Sequence, residues 1–526
     1  MKKLLMTSIM LVAFCAVSIG QNAEDVVVPI PLSVTMGSGT LSIGDAVSIV
    51  ENGASTTASY LKEQLSTEFG IAAKRRAKAQ ILIDVDDAKE FADEGYRMEI
   101  SSSQIVIEAA EQAGAFYAVQ SLLQLMRAGA TANGTVLSCQ AIEDAPRFGW
   151  RSFMLDECRY FLGQEELYKI LDAMAELKMN RLHWHLTDDA GWRVEIKQYP
   201  LLTEIGGKRA DSEIETWGSG KTSGEPHEGF YTQKQIKEVL AYAKERHIKI
   251  IPEIEMPGHS SAAVASYSWL GTSGQVIEVP AKFGKLYHIY DVLNPEVIEF
   301  LHNVVAEVVD LFETDIIHIG GDEVRFDHWE ASERYQEYKE AKGYGSYMDI
   351  QIEFTNKMAE YINGLGCEMM GWNEILGKSL HSDLVFEDAE TDLSKQTIVH
   401  FWKGDPQMLA SAAKEGYTLV NSYHVYTYLD YSHEKISLEK AYSFEPIDDL
   451  VEQEYHDNII GLGCQLWREW LPTAADVQRN VFPRIAAYAE VGWSEKSRKD
   501  YESFSGRVAT LVEKWQSDGI NVYTAE

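Results

Sequence analysis

Eight short runs of aliphatic, β-branched and aromatic residues recur between Ser152 and Glu469, separated by longer segments with helical spacing. They occupy residues 152–156, 180–186, 248–255, 315–323, 367–374, 397–402, 418–426 and 459–469. Near-continuous apolar runs of this length suit strands buried on both faces, as in a parallel sheet covered by helices. After the first run, "QEELYKILDAMAELK" puts Leu167, Ile170, Leu171, Met174 and Leu177 on one stripe. Ahead of the fourth, "LNPEVIEFLHNVVAEVVDLF" opens with Asn294 as an N-cap and Pro295 in the first turn. Strand and crossover repeated eight times predict an α/β fold, a (β/α)8 barrel over residues 147–526 with a C-terminal helical segment.

A smaller α/β domain is expected ahead of it, over residues 21–146. "ASTTASYLKEQLSTEF" reads as an amphipathic helix, and "YRMEISSSQIVIEAA" alternates like a hairpin around Ser101–Ser103. "GAFYAVQSLLQLMRAG" returns to helical spacing, with Phe116, Val119, Leu122, Leu123 and Met126 on one face and Gly129 placed to end it.

The chain has 526 residues, 45% of them hydrophobic and 24% charged, enough apolar material for two packed domains. Its formal charge of −34 disfavours nucleic acid as a partner. The first residues, "MKKLLMTSIMLVAFCAVSIGQ", carry two lysines, an apolar run and then small residues. That is the layout of a secretory signal peptide over residues 1–20, cleaved near Gly20, and its removal takes the charge to −36. A lipid anchor on Cys15 fits less well, because bulky Phe14 precedes it. No later run is long enough to span a bilayer, so an exported chain is expected, periplasmic or extracellular in a bacterium. Cys139, Cys158, Cys367 and Cys464 lack metal-ligand spacing and read as buried thiols.

In a barrel of this kind, chemistry collects at the C-terminal ends of the strands. Asp156, Asp188, Asp189, Glu253, Glu255, Asp322, Glu323, Trp372, Glu374, Trp402, Trp467 and Glu469 stand at that register. The Gly-, Ser- and charge-rich segment 203–232 is expected to form a loop over the same face. In "IIHIGGDEV", Asp322 and Glu323 would point to opposite faces of a regular strand. Gly320 and Gly321 allow the backbone to leave that geometry and present both acids. Adjacent carboxyls perturb each other's protonation, which suits one of them to proton donation. A nucleotide-cyclase hairpin shares the Gly-Gly-Asp-Glu string but needs an apolar second strand, whereas "RFDHWEASERYQEY" is polar and helix-like. Trp372, Trp402 and Trp467 suggest a stacking pocket for a sugar, with Arg151, Asp188, Asp430 and Glu469 as hydroxyl partners. His259 and His318 read as hydrogen-bonding support rather than metal ligands.

Taken in order, "RSFMLDECRYF", "LHWHLTDDAGWRVEI", "IPEIEMPGH", "HIGGDEV", "GWNEIL", "YLDY", "LWREW" and "FPRIAAYAEVGWS" resemble the motifs of family 20 glycoside hydrolases, the β-N-acetylhexosaminidases. The N-terminal segment is similar to the non-catalytic domain of that family. The resemblance implies a retaining, substrate-assisted reaction on a glycan with a terminal N-acetylhexosamine, and no cofactor. It makes Glu323 the general acid and base and Asp322 the residue that orients the 2-acetamido group. Tyr428 would bond the acetamido carbonyl, and Trp372, Trp402 and Trp467 would enclose its methyl. Arg151, Asp430 and Glu469 would hold ring hydroxyls, with Asp188 and His259 supporting the acids. Glu255 stands where the family often has aspartate, outside the expected contact shell. A disaccharide-releasing enzyme of the same fold, such as a lacto-N-biosidase, and an inactive glycan-binding protein are the alternatives.

Overall fold

The computed structural model describes residues 21–524. The expected signal segment and Cys15 lie outside the described residues. Eight parallel strands close into a barrel: β1 (Trp150–Asp156), β2 (Arg181–His185), β3 (Lys249–Glu253), β4 (Ile316–His318), β5 (Glu368–Trp372), β6 (Thr397–Phe401), β7 (Thr418–Asn421) and β8 (Ile459–Leu466). Each pairs with its sequence neighbours, and β8 returns to β1 through Gly461↔Trp150 and Leu466↔Leu155. All eight apolar runs supply a strand, so the predicted barrel is the observed one.

The strands are shorter than the runs. β4 stops at His318 because Gly320 and Gly321 take φ of +67° and +90°, a left-handed backbone that glycine adopts without steric cost. Strand β5 likewise ends at Trp372 and β8 at Leu466, so Glu374, Trp467 and Glu469 stand on the loops just beyond. Helix Gln164–Glu176 buries Leu167, Ile170, Leu171 and Met174 against the barrel. Helix Pro295–Phe312 is capped by the Asn294 side chain, which accepts from the Glu296 N–H.

Ahead of the barrel lies a mixed sheet in the order Ser33–Ile43, Gly134–Asp144, Tyr96–Ile100, Gln104–Ala109, Ala79–Val85, Ala46–Asn52, Ala72–Ala73. The hairpin around Ser101–Ser103 is there, pairing Ile100 with Ile105. Helix Gln112–Ala128 departs from the single apolar stripe read in its sequence. It is buried almost continuously from Gly114 to Met126, because it is wedged between this sheet and the barrel helix Gln164–Glu176. Its polar residues satisfy the burial: Gln124 accepts from Val28 N–H at 2.8 Å and donates to the Glu176 carbonyl at 3.2 Å.

The four described cysteines are buried and unpaired. Among the described residues, no helix is long and apolar enough to cross a membrane.

Candidate active site

The strand ends open into a cavity of about 550 Å³. Asp322 and Glu323 reach its floor from the turn after β4. There Glu323 also takes a positive φ of +50°, continuing the turn that the two glycines begin. The wall is aromatic. Trp402 and Tyr428 stack with ring centres 5.8 Å apart and planes within 7°, while Trp372 and Trp467 lie 5.8 Å apart beside them. Asp430 and Glu469 close the far side. His259, from the loop after β3, completes the floor.

Beneath the cavity, Glu253 anchors the barrel core. It accepts from His185 Nδ1 at 2.5 Å and Trp372 Nε1 at 2.8 Å, with His183 and His318 nitrogens at 2.8 and 2.9 Å. Burial opposes its charge, yet the three surrounding histidines hold its carboxyl well below the ordinary range. Trp372 is thereby fixed by a charged acceptor, and Trp402 by Glu374, which accepts from its Nε1 at 2.9 Å. His318 Nδ1 also accepts from the Gly320 N–H at 3.0 Å, which ties this core histidine to the turn after β4.

The sequence reading of Arg151 needs correction. Its guanidinium lies at the N-terminal end of β1, on the opposite side of the barrel from the cavity. There it donates to Glu94 at 2.8 Å and to the Phe148 and Lys178 carbonyls. Strand polarity explains the error: Arg151 is the second residue of a strand whose catalytic end begins at Asp156. Arg159, three residues past that end, lines the cavity instead. It meets Asp188 at 2.8 Å and Asp156 at 3.3 Å, and packs 5.0 Å over the Trp467 ring.

Asp188 is not placed to meet a sugar hydroxyl, although it does stand beside His259 as the second expected role required. It lies behind Arg159, bonded to His185 Nε2 at 3.1 Å, and does not line the cavity. His259 Nδ1 bonds Asp189 at 3.1 Å, with Asp188 at 3.5 Å. Its Nε2 stands 3.8 Å from Asp322 and 3.7 Å from Glu323, so it acts on the acids as a nearby charge rather than by hydrogen bonds. Burial opposes the imidazolium, but Asp188, Asp189 and Asp322 raise its pKa well above the usual histidine value. Burial pushes the Asp322 carboxyl up to about 8, against the pull of His259 and with added repulsion from Glu374 and Glu323. Asp430 is pushed up to about 8 by burial and the Glu469 charge. Glu255 is buried beside Asp322 under Gly320, and its carboxyl is raised well above normal, by burial and then by Asp322 and Glu253.

Two buried acceptors, Asp322 Oδ1 and Asp430 Oδ1, and one donor, Trp467 Nε1, have no hydrogen-bond partner among the described residues. Buried polar atoms are normally paired, so three such atoms around one cavity point to a polar ligand. Trp217 on the 203–232 loop, Lys285, Lys403, Tyr431 and Trp470 also line the cavity, and the sequence reading had singled out none of these five residues. They lie on loops beyond the strand ends, where apolar periodicity carries no signal.

A sugar-sized hollow with paired carboxyls at its floor and aromatic walls defines the class: a glycoside hydrolase. Comparison with known proteins agrees. The model of glycosyl hydrolase family 20, catalytic domain, matches residues 148–496, and that of its domain 2 matches residues 25–145. The chain belongs to glycosyl hydrolase family 20. It is similar to a beta-hexosaminidase of Porphyromonas gingivalis, 31% identical over 94% of this chain and 64% of that protein. A beta-hexosaminidase of Vibrio furnissii is 34% identical over 88% and 75% of the two chains. The chain thus spans somewhat under two thirds of the first relative's length. The structure of a GH20 exo beta-N-acetylglucosaminidase from Vibrio harveyi, in complex with N-acetylglucosamine, superposes with a TM-score of 0.82. It is 30% identical, with coverage of 95% of this chain and 78% of that one.

Proposed function

We propose that the protein is an exported, exo-acting β-N-acetylhexosaminidase that releases terminal β-linked N-acetylglucosamine or N-acetylgalactosamine with retention of configuration. The observation that carries this reading is the buried, unpartnered Asp322 Oδ1 beside Glu323 and the Trp372–Trp402–Trp467 wall. An acetamido N–H bonded to Asp322 would turn the carbonyl oxygen toward C1 and place the methyl against the indoles, with Tyr428 at the carbonyl. Glu323 gives its proton to the glycosidic oxygen as the C1–O bond breaks. The acetamido oxygen bonds to C1, and Asp322 stabilises the resulting oxazolinium charge by accepting a hydrogen bond from its N–H. Water then attacks C1 while Glu323 takes back a proton, which restores both the acid and the acetamide. A neutral amide is a poor nucleophile, so its positioning and the stabilisation of its charge supply much of the rate.

Arg159, Asp430 and Glu469 close the end of the cavity, which favours one terminal sugar over the disaccharide a lacto-N-biosidase would hold. The intact acid pair disfavours an inactive binder. Export rests on the sequence of the first twenty residues alone. In Glu323→Gln, release of 4-nitrophenol from 4-nitrophenyl N-acetyl-β-glucosaminide should fall by about 10²–10⁴ in kcat. Near-normal turnover in a folded variant would sink the assignment.

A further inference from the structure

Beyond the hollow that would hold the terminal hexosamine, the cavity mouth has its own construction. The indole of Trp217 is 59% exposed, an unusual position for a large aromatic side chain that is highly buried on average. It is held in place edge-on by Trp470, with ring centres 5.5 Å apart, and lies against Gly284, where an added Cβ would stand 3.3 Å from the ring. The next residue, Lys285, brings its Nζ to 3.7 Å from Glu323 Oε1. Trp217 and Lys285 thus line the same cavity as Glu323, the acid that protonates the leaving oxygen, and Lys285 marks its leaving-group side.

Two ammonium groups share this mouth. The Nζ atoms of Lys285 and Lys403 lie 3.1 and 2.9 Å from His381 Nδ1, so both ammonium groups gather around one atom. Lys285 also meets the exposed carboxylate of Asp383 at 2.9 Å. Lys403 has no carboxylate within 4.0 Å among the described residues. The nearby Glu374 is already engaged by Trp402 Nε1 and His381 Nε2. Burial lowers the pKa of Lys403, Glu323 opposes that shift and Lys285 adds to it. In a chain of formal charge −34, two cations gathered at one pocket mouth are not background composition.

We propose that this mouth is an acceptor subsite for a sugar bearing a carboxylate, with Trp217 as its stacking platform and Lys403 and Lys285 as its anion-binding groups. The proposal rests on the hexosaminidase reading and deepens it: the preferred substrate is a terminal N-acetylhexosamine β-linked to a uronic acid. The apolar face of the uronic acid ring lies on the indole, and its carboxylate meets the ammonium groups.

The test compares kcat/KM for N-acetylglucosamine β1→4-linked to glucuronic acid with that for the same sugar β1→4-linked to glucose, a pair that differs only at C6 of the acceptor. In low salt the uronate should be favoured by about tenfold, and the preference should shrink in 0.5 M NaCl. Lys403→Gln and, independently, Lys285→Gln should each cut the uronate-to-glucose ratio several-fold. Trp217→Ala should lower kcat/KM for both disaccharides relative to the aryl glycoside. A wild-type ratio at or below one, or a ratio unmoved in both lysine variants, would overturn the subsite while leaving the hexosaminidase reading intact. Failure to cleave either disaccharide or the aryl N-acetyl-β-glucosaminide would overturn both.

Discussion

Arg151 and Arg159 belong to one stretch of chain and face opposite ends of one strand, so their loss should be felt in different measurements. Arg159→Ala removes a buried guanidinium between Asp188, Asp156 and the cavity, and kcat/KM should fall by about 10²-fold or more. Arg151→Ala breaks a buried pair with Glu94, and stability should fall by roughly 3–5 kcal/mol with KM for the aryl glycoside little changed. A raised KM in Arg151→Ala with no loss of stability would reverse the assignment. Asp322 carries a pH signature. Its carboxyl is raised from an ordinary value near 3.8 to about 8, so its favourable contribution is complete below pH 4 and is lost as pH rises through about 8. Asp322→Asn stays neutral throughout. Its Tm relative to wild type should rise by about 2 °C between pH 5 and pH 8.5, even as activity collapses. A pH-independent Tm difference would mean that Asp322 is not held protonated in the free protein. At this scale much of the site was legible in the residues. The Asp-Glu pair, His259, Tyr428, the three tryptophans, Asp430 and Glu469 all line the cavity. Arg159 was not singled out in the sequence, although it shares a motif with Arg151 and strand polarity places it at the cavity end.

The turn after β4 shows why an element can matter more than its residue types. Its glycines are required twice over. Both have positive φ, and a Cβ on Gly320 would stand 1.7 Å from Glu255 Oε2, the buried carboxyl beneath Asp322. Gly320→Ala should destabilise the protein by roughly 2–4 kcal/mol and displace Asp322, lowering kcat with it. Chemical denaturation and single-turnover rates check this, and a stable, fully active variant would contradict it. The need for glycine was visible in the sequence, but the close approach of Glu255 was not, because it joins residues just beyond β3 and β4 that only folding brings together. The strand runs were legible for the same reason that the barrel is stable: apolar residues buried on both faces leave a continuous signal. Their ends were overestimated because the runs continue into the loop residues beyond each strand, and at β4 because two glycines turn the backbone.

The two domains of the molecule are joined by buried charge rather than by apolar contact alone. Asp144 of the N-terminal sheet accepts from Lys178 Nζ at 2.7 Å and Trp493 Nε1 at 2.8 Å, both on the barrel side, and from Tyr96 at 2.8 Å. Asp144→Ala would leave the Lys178 ammonium buried and unpaired, at a cost of roughly 3–5 kcal/mol. Calorimetry should show both domains melting earlier and together, whereas an unmoved barrel transition would contradict such coupling. This interface was not legible in the sequence. The helix 112–128 looked one-sided until the barrel supplied its second neighbour, and Lys178 reads as an ordinary surface residue. In the proposed reaction, the substrate's own acetamide, steered by Asp322, is the nucleophile. The most direct test is the rate of 4-nitrophenyl β-glucosaminides whose N-acetyl group carries zero, one, two or three fluorines. Substrate assistance predicts that kcat/KM falls steeply, by orders of magnitude across the series, as the carbonyl oxygen loses basicity. A flat series would show that an enzyme group or water attacks C1 instead.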